Sequence, residues 1–118
     1  MKKNVLLVDD SMFMRMKLRA LLERHGYQVV AEASDGLEAV ERYTAYRPDI
    51  VLLDITMPHM DGVAALKELM KIDENANVVM CTALGQKSLM LEALQSGAKD
   101  FIVKPFFDNL IPVLENLG

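Results

Sequence analysis

The sequence predicts an α/β domain, a doubly wound sheet of five parallel strands with five helices. Three observations lead there. Short apolar runs alternate with longer amphipathic segments, the order of a parallel sheet built with right-handed crossovers. The runs at 5–8 and 50–53 (Val-Leu-Leu-Val and Ile-Val-Leu-Leu) are apolar throughout, as strands covered by helices on both faces must be. Glycine or proline stands at the segment ends, at Gly26, Pro48 and Gly97.

Each element has a local reason. Residues 5–8 read as the first strand, and Ser11 can cap a helix running to about residue 25, closed by Gly26. Residues 27–33 form a second, less apolar strand suited to a sheet edge. Asp35-Gly36 opens a helix to about residue 46, which Pro48 ends. The strand at 50–53 precedes a loop over 56–62, a helix over 63–71 and a strand over 77–82. A helix over 86–96 closes at Gly97, the fifth strand covers 99–104, and a last helix occupies about 108–117. Pro112 is tolerated only in a first turn, so that helix either starts near Asn109 or is kinked.

The 118 residues suit one domain spanning 1–118. A net charge of −4, with no long Lys/Arg run, argues against nucleic-acid binding. No stretch approaches the ~18 apolar residues of a membrane span, and the apolar run after Lys2-Lys3 is too short for a signal peptide. The single cysteine, Cys81, excludes an internal disulfide, and a cytoplasmic protein is expected.

The chemistry lies where the strands end. Asp9-Asp10 closes the first strand, Asp54 the third, Thr82 the fourth and Lys104 the fifth. In an open parallel sheet these carboxyl ends share one edge, the edge that binds ligands. Asp9 and Asp10 alone could simply favour the first helix dipole. With Asp54 beside them, like charges ~4 Å apart repel by about 4 kcal/mol each at an effective dielectric of ~20. A hard dication relieves this, and carboxylates plus waters suit Mg²⁺. Thr82 and Lys104 suit an anion instead, so metal and phosphoryl group are expected together, with Asp54 as nucleophile. A cis bond before Pro105 would turn Lys104 back over the site.

The stretches Val8-Asp9-Asp10-Ser11, Asp35-Gly36-Leu37-Glu38-Ala39, Pro48 to Gly62, Thr82-Ala83 and Ser96 to Phe106 carry a resemblance. Together they resemble the response-regulator receiver family, in particular its stand-alone chemotaxis members. The resemblance implies a flavodoxin-like sheet in the order 2-1-3-4-5. It implies phosphorylation of Asp54 by a histidine kinase, and Mg²⁺ held by Asp9, Asp10, Asp54 and the Thr56 carbonyl. Thr82, with Ala83 beside it, and Lys104 would meet the phosphoryl group, and Phe101 would be the switch aromatic. Phe101 lacks the hydroxyl of the tyrosine often found there, so its switch must rest on packing. Leu84 stands where many relatives carry a polar residue, and is expected to restrict the attacking water and lengthen the phosphorylated lifetime.

In the helix at 86–96, Leu89 and Ala93 make one stripe, and Met90, Leu91 and Leu94 widen it. The residues leave open a half-buried core face or a docking surface; the resemblance favours docking through Met90, Leu94 and Phe101. The expected partners are a histidine kinase, a flagellar motor switch protein and a phosphatase, with the protein itself a monomer. Met12, Met14, Met16, Met70 and Met80 are expected to fill core gaps, Cys81 to be a small core residue, and His25 and His59 to lack a catalytic role. The alternatives are a phosphorelay intermediate of the sporulation type and a Mg²⁺-dependent aspartyl-phosphate phosphohydrolase. The latter lacks room for a substrate cap. A flavin carrier would have Asp9 and Asp10 repelling its phosphate.

Overall fold

The alternating pattern resolves into ten elements in a computed structural model that describes residues 2–83, 86–104 and 107–117. In order they are β1 (Asn4–Val8), α1 (Met12–Arg24), β2 (Gln28–Ala33), α2 (Gly36–Tyr46), β3 (Ile50–Asp54), α3 (Gly62–Ile72), β4 (Val78–Thr82), α4 (Lys87–Gln95), β5 (Asp100–Val103) and α5 (Leu110–Glu115). The strands form one parallel sheet in the order β2-β1-β3-β4-β5. The chain therefore starts near the sheet centre, runs to one edge and returns past β1 to the other. The order reverses between β1 and β3, the switch point of such a sheet.

Alternation along the strands builds two cores. Leu6, Val8, Val51, Leu53, Val78 and Met80 face α2, α3 and α4, which contribute Ala39, Tyr43, Leu66, Leu69 and Ala93. Val5, Leu7, Ile50, Leu52, Val79, Cys81 and Ile102 face α1 and α5, which contribute Leu18, Leu22, Leu110 and Leu114. All residues of β3 and β4 are buried, which is why those runs show no polar alternation.

Three helices begin at side-chain caps. Ser11 accepts from the Met14 amide at 3.2 Å, Asp35 from Glu38 at 2.9 Å and Asp61 from Ala64 at 2.9 Å. Glu38 reaches back past the cap residue, its carboxylate accepting from the Ser34 amide and hydroxyl, both at 2.7 Å. Pro112 is the third residue of α5, and the Val113 amide donates to the Asn109 carbonyl at 3.0 Å. The last helix thus starts just after Asn109, and its proline sits in the first turn, where a missing amide costs little.

The methionine expectation needs correcting. Met80 is buried and Met14 and Met70 pack against the cores, but Met12 and Met16 are 67% and 63% exposed, beside Phe13 at 70%. The inward face of α1 follows Met14, Leu18 and Leu21/Leu22 at helical spacing. Met12 and Met16, one turn apart, fall on the opposite side with Arg19 and Glu23. Of the α4 stripe, Leu89 is 38% exposed, whereas Ala93 is fully buried. Among the described residues, no helix is long and apolar enough to cross a membrane.

Candidate functional site

Strand register brings the predicted polar residues to one level. Val8 pairs with Leu53, so Asp9 and Asp54 are the next residues on adjacent strands. Asp54 pairs with Cys81, one residue before Thr82, and Thr82 pairs with Val103, one before Lys104. One carboxylate oxygen from each of Asp9, Asp10 and Asp54 lies within 4.8 Å of the others. Asp9, Asp54 and Thr82 are buried at 2%, 4% and 2% exposure, while Asp10 is exposed at the rim. Lys104 enters from the opposite side, its Nζ 3.1 Å from Asp54 Oδ1 and 3.3 Å from Asp9 Oδ2.

One ammonium does not balance three carboxylates in this setting. Burial, reinforced by the Asp9 charge, pushes the Asp54 carboxyl up to about 6, against the pull of Lys104. Burial would lower the Lys104 ammonium, but the Asp54 and Asp9 charges outweigh it and hold its pKa above the ordinary value. The surplus negative charge, the oxygen-only donors and the water-facing Asp10 fit a hard, partly hydrated dication. Cys81, paired beside Asp54, takes no part: burial pushes its thiol up to about 12, so it is a protonated core residue.

Comparison with known proteins decides the family. Residues 5–114 match the response regulator receiver domain. The chain belongs to that family. A chemotaxis protein CheY of Thermotoga maritima is 56% identical over 106 residues, covering 90% of this chain and 88% of that protein. A Bacillus subtilis CheY is 54% identical over the same shares. Among solved structures, CheY in the CheX–CheY–BeF₃–Mg²⁺ complex of Borrelia burgdorferi superposes with a TM-score of 0.90 at 43% identity, covering 95% of this chain and 86% of that one. This receiver domain is a phosphorylation-activated two-component signalling switch of the chemotaxis type, a signalling protein and not a conventional enzyme. Receiver domains bind Mg²⁺ at an acidic pocket, and the Asp9, Asp10 and Asp54 group is compatible with one.

Residues that sequence reasoning did not single out complete the receiver site. Gln86, at the start of α4, turns its side chain back over the sheet edge. Its carbonyl oxygen accepts from the Ala83 amide at 2.9 Å and from the Thr82 hydroxyl at 3.1 Å. Its amide donates to Thr56 Oγ1. Thr82 Oγ1 is also 3.1 Å from the Ala83 carbonyl oxygen, so its single proton is shared between Gln86 and that carbonyl and the hydroxyl is engaged away from Asp54. Arg15 supports the other side, donating to the Asp9 carbonyl oxygen and, at 2.8 Å, to Glu32. Burial would raise the Glu32 carboxyl, but Arg19 and Arg15 together pull it below its ordinary value. A polar side chain at a helix start carries no sequence signal of this kind, because the contact depends on where the strand end beside it lies.

Phe101 is half-buried and packs against the core together with Met90 and Leu94. All three face partly inward; Leu91 is 49% exposed on the same helix as Met90 and Leu94. The expectations for Leu84 and for a cis bond before Pro105 lie outside the described residues.

Proposed function

We propose that Asp54 is the phosphoacceptor of this receiver domain, with Asp9, Asp10, Asp54 and the Thr56 carbonyl as the Mg²⁺ ligands. The observation that carries this is the meeting of three carboxylates and Lys104 at the carboxyl edge of β1, β3 and β5. When bound, Mg²⁺ supplies positive charge that lets Asp54 ionise and offsets the charge of an incoming phosphoryl group.

The chain's own residues do the rest. Asp54 Oδ attacks phosphorus in line and the phosphorus–nitrogen bond to the kinase histidine breaks; the histidine leaves as neutral imidazole, keeping a proton that its other ring nitrogen has taken from solvent. Lys104 must then give up part of its pairing with Asp54 and follow the phosphoryl oxygens, to which an ammonium binds as a point charge. Thr82 has a competing bond to Gln86, so its move to the phosphoryl group, beside the Ala83 amide, exchanges one hydrogen bond for a charge-assisted one. The shift of Thr82 frees space beside β4 and β5 into which Phe101 packs more deeply. This switch has no hydroxyl on the aromatic to stabilise it.

The signal then passes by protein contact through Met90, Leu94 and Phe101. Its partners are a chemotaxis histidine kinase upstream, a flagellar motor switch protein downstream and a phosphatase that ends the signal; the CheX–CheY complex of the Borrelia relative supports binding of a second protein to the activated receiver. The protein acts as a cytoplasmic monomer, with residues 1–118 forming one receiver domain. Incubation with a histidine-phosphorylated chemotaxis kinase tests this. Transfer to the wild type in Mg²⁺, and none in EDTA or with Asp54→Asn, is the expected result. Transfer to Asp54→Asn at the wild-type rate would overturn it.

A further inference from the structure

The segment joining β3 to α3 carries Thr56 and follows Asp54 directly, so its conformation governs how the site receives a cation. Its inner end is tied to the sheet: Ile55 donates to the Cys81 carbonyl at 3.0 Å and Gly62 to the Ile55 carbonyl at 2.7 Å. Its outer end is less regular. The Met60 amide donates to the Pro58 carbonyl at 2.8 Å across His59, whose φ is +66°. A turn of that kind about a non-glycine residue is strained and persists only where its surroundings hold it.

What holds it comes from the turn between β2 and α2. His59 Nδ1 lies 2.9 Å from Asp35 Oδ2, while the other Asp35 oxygen accepts from the Glu38 amide and is thereby fixed to α2. Gly36 donates to the Met60 carbonyl at 3.1 Å. A Cβ on Gly36 would overlap that carbonyl and come within 2.7 Å of the Met60 side chain, so only glycine allows the approach. None of these residues touches the carboxylates of the site.

We propose that Asp35 and His59 form a bracket that presets the β3–α3 segment for cation binding, which makes both of them positioning residues. The inference rests on the Mg²⁺ reading above and adds two residues to it. The bracket stores strain in the cation-free chain and keeps the loop from relaxing away from the geometry the cation needs. Outer residues of this sort affect metal affinity without touching the metal.

The test is Mg²⁺ affinity by calorimetry on four proteins, together with thermal unfolding in EDTA. His59→Gly removes the contact and relieves the strained φ. Asp35→Ser keeps a helix cap but is too short to reach His59. His59→Asn tolerates positive φ and retains an amide donor for Asp35. His59→Gly and Asp35→Ser should bind Mg²⁺ roughly tenfold more weakly, while His59→Asn stays close to wild type. His59→Gly should also keep or raise its unfolding temperature in EDTA, so stability and affinity move apart. A residue with only a structural role would lower both. Unchanged affinity in both His59→Gly and Asp35→Ser would overturn the bracket and leave the site reading intact. A wild type that binds no Mg²⁺ would overturn the site reading, and the bracket with it.

Discussion

Replacing Asp54 by Asn should stabilise the metal-free protein by about 2–3 kcal/mol at pH 8, although it removes the proposed phosphoacceptor. The Asp54 carboxyl is pushed up from 3.8 to about 6 by burial and by Asp9. Each tenfold change in proton affinity is worth about 1.4 kcal/mol, which sets the size of the effect. The sign follows from which state binds the proton more tightly. Below about pH 4 the residue is protonated both folded and unfolded and contributes no penalty. As pH rises, the unfolded chain ionises freely while the folded chain resists, so stability is lost up to pH 6 and the loss is then constant. The difference between Asp54→Asn and wild type in EDTA should open between pH 4 and 6 and stay flat above. Saturating Mg²⁺ should close the gap, because binding to the folded wild type adds stability by mass action. Urea unfolding across that pH range, with and without Mg²⁺, measures both effects. A variant no more stable than wild type at pH 8 would mean that Asp54 bears no electrostatic penalty.

Gly62→Ala should be the most damaging small substitution near the site. Gly62 is the first residue of α3, where alanine would ordinarily be the better helix former. Here a Cβ would overlap the Asp54 carbonyl oxygen and approach the Ile55 Cα to 2.7 Å. Both obstacles are backbone at the end of β3, and moving them moves Asp54. We expect a loss of about 3 kcal/mol or more, a fall in unfolding temperature of roughly 10 °C, and slower phosphorylation in whatever remains folded. Thermal unfolding followed by circular dichroism reads the first two, and a stability equal to wild type would contradict the close packing of α3 against the end of β3.

The sequence was legible where one residue type had one physical use. The unbroken apolar runs identified β1 and β3 because only strands covered on both faces tolerate them. The carboxylates at the ends of β1 and β3 needed only a parallel sheet to meet. Motifs in family order supplied the strand order, which the apolar pattern alone does not fix. The failures share a cause. Met12 and Met16 are apolar, yet the face of α1 that turns inward is set by Leu18 and Leu22, and hydropathy alone did not choose between the two faces. Gln86 and His59 are ordinary surface residue types whose partners, Thr82 and Asp35, stand on other elements. Contacts of that sort appear only once the chain is folded.

If Asp54 is the phosphoacceptor, the phosphoryl group goes to it and to no other side chain of the acidic pocket. Incubation with acetyl phosphate and Mg²⁺, borohydride reduction of the acyl phosphate to homoserine, and sequencing of the peptides by mass spectrometry locate it directly. Homoserine at position 54 alone, with none formed in EDTA, is the expected result. Homoserine at position 9 or 10, or none at 54 when the protein has gained the mass of a phosphate, would contradict it.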